Sequence, residues 1–180
     1  MILQRCAKLT LFAFLSISMI LLSGCGSQGS TGNNAGAKDV SKPDLAEILV
    51  KECDLDELLS SGLPVILNFG DDSRESKETV DVLMTLYEEI KEHVIIRSID
   101  LAQNPSGKAG FPIQIIPTQF FYDASGAPIP LPVNIGVILS AFMSVETEEP
   151  VFTAHEGPLT LEEFINILAV MGIVSIEALS

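Results

Sequence analysis

Ser73 and Ser76 lie three residues apart in the stretch NFGDDSRESKET, residues 68–79, and are the hydroxyls best placed for nucleophilic work. The stretch follows an apolar run, 63–69, so it reads as the turn from a buried strand into a helix. Such turns carry chemistry in α/β proteins because free N–H groups of the helix converge there. A serine nucleophile needs a base within hydrogen-bond reach. His93 comes 17 residues after Ser76 on the same expected helix, about 25 Å away at 1.5 Å per residue. His155 falls on another strand and reads as an exposed edge or turn histidine. Asp71, Asp72, Glu75 and Glu78 lack the D-x-[DN]-x-[DN]-G spacing of a calcium loop. Acids in a first helical turn complement the dipole, and Asp72 with Glu75, or Ser73 with Ser76, fit as an N-cap and its partner. No metal and no cofactor are expected.

The other reactive side chains are three cysteines, and their fate depends on the N-terminus. Arg5 and Lys8 form a short positive region, followed by an apolar run over 9–22 of signal-peptide length. Leu22-Ser23-Gly24-Cys25 resembles the lipobox of bacterial lipoproteins. That resemblance implies a signal peptide over 1–24 and a lipid-carrying Cys25, hence a lipid-anchored protein on the extracytoplasmic face of a cell membrane or envelope. Residues 25–42, rich in Gly, Ser and Asn, read as a flexible tether. The domain proper is then 43–180, enough chain for one ordinary core. Cys6 leaves with the signal and Cys25 is consumed, which leaves Cys53 as the single free thiol and no intramolecular disulfide. Two histidines and one thiol do not make a structural zinc site. Without the two signal cations, 8 Lys and Arg remain against 24 Asp and Glu. That balance argues against nucleic acid as a partner.

The elements that must position the turn follow from periodicity. Pro43 suits a first helical position, with Leu45, Ile48, Leu49 and Cys53 on one face. Cys53 there is either a core residue or a thiol open to an intermolecular disulfide or to single-cysteine chemistry. A short helix over 55–60 stops at Gly62. The continuous apolar run 63–69 suits a strand buried on both faces. From Asp72 the period becomes helical, with Val80, Leu83, Tyr87 and Ile90 in register, as far as about His93. Residues 94–99 form the next strand, parallel through a right-handed crossover. Pro105 and Gly107 mark a loop over 104–110, and further strands fall at 118–122 and 151–155. A closing helix over 160–171 opens on Thr160 and Glu163, a capping box, and ends at Gly172. Residues 128–149 read as an insertion. Its apolar part, 135–145, is either an extra helix or hairpin packed on the core, or an exposed partner surface.

This order, with the residues in it, resembles the thioredoxin family over roughly 54–127 and 150–174. Leu63-Pro64-Val65-Ile66-Leu67-Asn68-Phe69-Gly70 looks like the strand before that family's redox motif. Ile116-Pro117-Thr118 looks like its cis-proline segment, and Phe120-Phe121-Tyr122-Asp123 with Gly126 like the following hairpin. His155-Glu156-Gly157 is similar to extracytoplasmic members. The resemblance implies a three-layer α/β fold, with a central mixed sheet of about four strands flanked by helices. It also implies a Cys-x-x-Cys pair just after Gly70, which this chain lacks. Without a gap the two cysteine positions fall on Arg74 and Lys77; with a one-residue deletion they fall on Ser73 and Ser76. Ser73, Arg74, Glu75, Ser76 and Lys77 thus occupy a degenerate motif, and Asn68 stands where thioredoxins often carry a buried Asp. A hydroxyl cannot replace the thiolate, because no S–S product forms. The expectation is a module inactive at the usual site that binds an extended polypeptide or envelope protein at Ile116, Pro117 and Thr118 by strand addition. The alternative is a thiol–disulfide oxidoreductase of the thioredoxin family acting in extracytoplasmic redox homeostasis.

Overall fold

The computed structural model describes residues 45–51, 54–132 and 134–173. The expected signal peptide, Cys25, the tether and Cys53 lie outside these residues. In chain order the elements are α1 (Leu45–Ile48), β1 (Leu49–Val50), α2 (Leu55–Leu59), β2 (Val65–Gly70), α3 (Arg74–Ile90), β3 (Ile95–Asp100), a 3₁₀ turn (Pro105–Lys108), β4 (Thr118–Tyr122), β5 (Ser140–Met143), β6 (Pro150–Glu156) and α4 (Leu161–Val170).

The strands make one mixed sheet in the order β1-β3-β2-β4-β6-β5. β2 is buried at every position, as its unbroken apolar run requires. It pairs in parallel with β3, from Val65 opposite Ile95 to Gly70 opposite Asp100. On its other side it pairs antiparallel with β4, from Val65 opposite Tyr122 to Phe69 opposite Thr118. Alternate side chains feed two cores, one on each face. Ile66, Ile96 and Phe121 pack under Leu83, Leu86 and Ile90 of α3 and Phe164 and Ile167 of α4. Leu67, Phe69, Ile99 and Phe120 face the other way, toward Leu55, Leu58 and Leu59 of α2. The loop from β3 to β4 is held on this second face by Phe111, whose ring lies 4.7 Å from Phe69 and 5.0 Å from Phe120.

The sheet has six strands rather than the expected four or so. Both additions are edge strands that periodicity does not reveal. β1 is two residues long and stands where a helical face was read over Leu45, Ile48 and Leu49. The helix there makes only one turn, because Leu49 and Val50 pair with Ser98 and Ile99 of β3. The carboxylate Oε2 of Glu47 accepts from the Tyr87 hydroxyl at 2.5 Å and ties that turn to α3. β5 comes from the apolar part of 128–149 and forms a hairpin with β6, Phe142 opposite Phe152. Ile135, Val137 and Leu139 pack against the first core, whereas Ile138 and Val145 stay 84% and 98% exposed.

Candidate functional site

β2 ends at Gly70, and α3 begins four residues later with Ser73 as its N-cap. Gly70 allows the helix start to lie directly on the strand end. A Cβ at that position would stand 3.2 Å from the Ser76 Cβ. Ser73 Oγ accepts from the Ser76 N–H at 3.2 Å and donates to Ser76 Oγ at 2.9 Å. Ser76 Oγ donates in turn to Asp71 Oδ1 at 2.8 Å, and the Asp71 N–H donates back to Ser76 Oγ at 3.1 Å. The Ser73 N–H also reaches Asp71 Oδ1, at 3.0 Å. Ser73, through its hydroxyl and its N–H, and then Ser76, hold the Asp71 carboxyl below its usual range. The turn is a closed clasp of two hydroxyls and a carboxylate.

The charged residues of 72–78 are exposed, whereas Thr79 is buried and its hydroxyl donates to the Glu75 carbonyl at 2.9 Å. Arg74 pairs with Glu78 at 2.7 Å on the solvent face of α3, and Lys77 Nζ donates to the Asp72 carbonyl at 2.5 Å. Arg74, Glu75 and Lys77 are exposed, while Ser76 is buried and Ser73 half-buried. Beneath the clasp, on the same face of the sheet, lies a buried polar layer that periodicity had marked as plain strand. Asn68 Nδ2 donates to Ser98 Oγ at 2.8 Å, and Gln119 Nε2 donates to Asn68 Oδ1 at 3.0 Å. These three residues are at most 2% exposed. Their adjacency follows from the sheet register, with Asn68 opposite both Ser98 and Gln119, which no local pattern foretells.

The Ile116–Pro117 bond is cis. The Pro117 carbonyl accepts from the Gly157 N–H at 2.8 Å, and the Thr118 hydroxyl donates to the Ile115 carbonyl. Among the described residues nothing hydrogen-bonds the Ile116 backbone. Ser73 and Ile116 line one groove of about 480 Å³, together with Asp71, Asp72, Leu101 and Ala102. A larger cavity of about 1000 Å³ lies along β1, β3 and α3, and Asp71 and Asp72 border both.

The groove therefore brings together the expected Ser73 and Ile116 and adds Leu101, Asp71 and Asp72. Thr118 is buried in β4 rather than lining it. The histidines do not join the serines. His93 sits past the far end of α3, which runs 17 residues from the clasp, and the His155 ring faces the Ile138 carbonyl at 2.9 Å. The hydroxyl chain ends on a carboxylate held acidic, which is a poor proton acceptor near neutral pH. This arrangement offers shape, hydrogen bonds and negative charge, without an activated nucleophile.

No family model matches the sequence, and no curated protein matches it. Among solved structures the chain is similar to a chloroplastic thioredoxin z, at 17% identity and a TM-score of 0.46, over 71% of this chain and 97% of that one. A likeness of that size says nothing about activity. The thioredoxin-like character of the fold rests on the element order, the parallel β2–β3 pair, the antiparallel β4 and the cis-proline at its start.

Proposed function

We propose that this protein is a lipid-anchored, extracytoplasmic thioredoxin-like module that binds extended polypeptide and carries out no thiol–disulfide exchange at its helix start. The observation that supports this most directly is the Ser73–Ser76 pair, hydrogen-bonded at 2.9 Å at the N-cap and first turn of α3, with Ser73 lining the same groove as Ile116. In this reading Ser73 and Ser76 stand at the two cysteine positions, and Arg74 and Lys77 are the outward residues between and after them. The Ile116 N–H and carbonyl have no partner among the described residues, so an extended segment gains ladder hydrogen bonds there. In this reading a lipid at Cys25 tethers the domain to the extracytoplasmic face of a membrane.

The test is disulfide reduction of a model protein with dithiothreitol as electron source. The native chain should give the background rate. Ser73→Cys/Ser76→Cys should turn over, and Arg74→Cys/Lys77→Cys should not, because its side chains point into solvent. Turnover by the native chain that disappears in Cys53→Ser would overturn the reading. A gain in the Arg74/Lys77 pair instead of the Ser73/Ser76 pair would move the motif by one residue.

A further inference from the structure

Resting on that reading, we infer that the groove selects extended segments carrying lysine or arginine beside apolar residues. The floor of the groove is apolar: Leu101 is buried, Ile116 is half-buried, and the adjoining Ile115 is 52% exposed. Its lip is acidic. Asp71 and Asp72 both line it, and Asp71 stays ionised to low pH because Ser73 and Ser76 hold it there. Of the cations close by, Arg74 is paired with Glu78, and Lys77, which donates to the neutral Asp72 carbonyl, keeps its charge, so Asp71 and Asp72 outnumber it at the lip. The formal charge of the whole chain, −14, extends the same field outward. Strand addition at Ile116 alone ignores side chains, because it uses only backbone groups. The acidic lip converts that general contact into a preference, as charge complementarity at an interface rim does.

Two dye-labelled nine-residue peptides of alternating valine and threonine serve as probes, one with three lysines and one with three glutamates in the same places. Their binding to the full chain in neutral detergent is read by fluorescence anisotropy. At low salt the lysine peptide should bind about fivefold tighter, the size of two exposed ion pairs. The difference should close in about 1 M salt, where the screening length is about 3 Å. Asp72→Asn should erase most of the preference, since its exposed side chain supports no bond in the clasp. Glu146→Gln, in the turn at the opposite end of the sheet, should leave it intact. Equal binding of both peptides overturns the selection and leaves polypeptide binding standing. An equal effect of the two substitutions overturns the lip in favour of net charge alone. Binding of neither peptide overturns the groove itself.

Discussion

At the scale of single residues, the decisive atom is Ser76 Oγ. It is buried and makes three hydrogen bonds to two residues, donating to Asp71 Oδ1 and accepting from the Asp71 N–H and the Ser73 hydroxyl. Ser76→Ala should therefore cost more than a surface serine, about 0.5–1.5 kcal/mol for the hydrogen bonds lost to its half-buried partners. The same change lets the Asp71 pKa rise toward its usual value. Asp71 has a folded pKa below the unfolded one, so its contribution is present above the unfolded value and is lost as pH falls through the folded value. The stability gap between native chain and Ser76→Ala should then be full near pH 7 and narrow in acid. Urea unfolding at both conditions checks this, with an NMR titration of Asp71. Part of this clasp was legible: Ser73 with Ser76 was one of the two capping pairs the spacing allowed. Asp71 was not, because an Asp two residues before a cap has no pattern of its own. Gly70, which lets the clasp lie close on the strand end, reads in sequence only as a strand end.

Among elements, α4 shows how far local signals carry. Thr160 and Glu163 predict a capping box, and the structure has both halves: the Glu163 N–H reaches Thr160 Oγ1 at 3.3 Å and the Thr160 N–H reaches Glu163 Oε2 at 2.8 Å. The backbone bond from Thr160 is the main cause that lowers the Glu163 pKa. Thr160→Ala should destabilise by about 1 kcal/mol at neutral pH, as loss of a cap does. It should raise the Glu163 pKa only part of the way, because the backbone N–H remains. Denaturation midpoints and a carboxyl titration would show both. A full return of Glu163 to its ordinary value would mean that the hydroxyl, not the N–H, holds it. β1 is the opposite case. Helical spacing over Leu45, Ile48 and Leu49 was real, yet pairing with β3 ends the helix after one turn. Tertiary hydrogen bonding overrides a weak local propensity when the segment is short. β5 was left open between helix and hairpin for another reason: an apolar run of intermediate length reads equally as helix or strand, and only its partner β6 decides.

For the molecule as a whole, charge and topology set different properties. Asp71, Asp123 and Glu163 all have lowered pKa values in the fold. For Asp123 partial burial pushes upward, and the bonds from Ser125 and the Ala127 N–H outweigh it. All three contributions vanish as pH falls through the folded values, so global stability should be level near neutrality and drop below about pH 4. Solubility should be lowest near the sequence pI of about 4.3. A stability curve that rises on acidification across that range would contradict this. The sequence by itself determined the strand that became β2, the α3 and α4 helices, the capping box of α4, the acidic balance and the absence of a sulfur pair at the helix start. Each of these is encoded by neighbours a few residues apart, through periodicity, capping chemistry or plain composition. Only the tertiary structure decided the six-stranded sheet, the Asn68–Ser98–Gln119 layer and the shared groove of Ser73, Leu101 and Ile116. Those depend on register between distant strands, and backbone pairing joins residues whose separation in sequence carries no local trace.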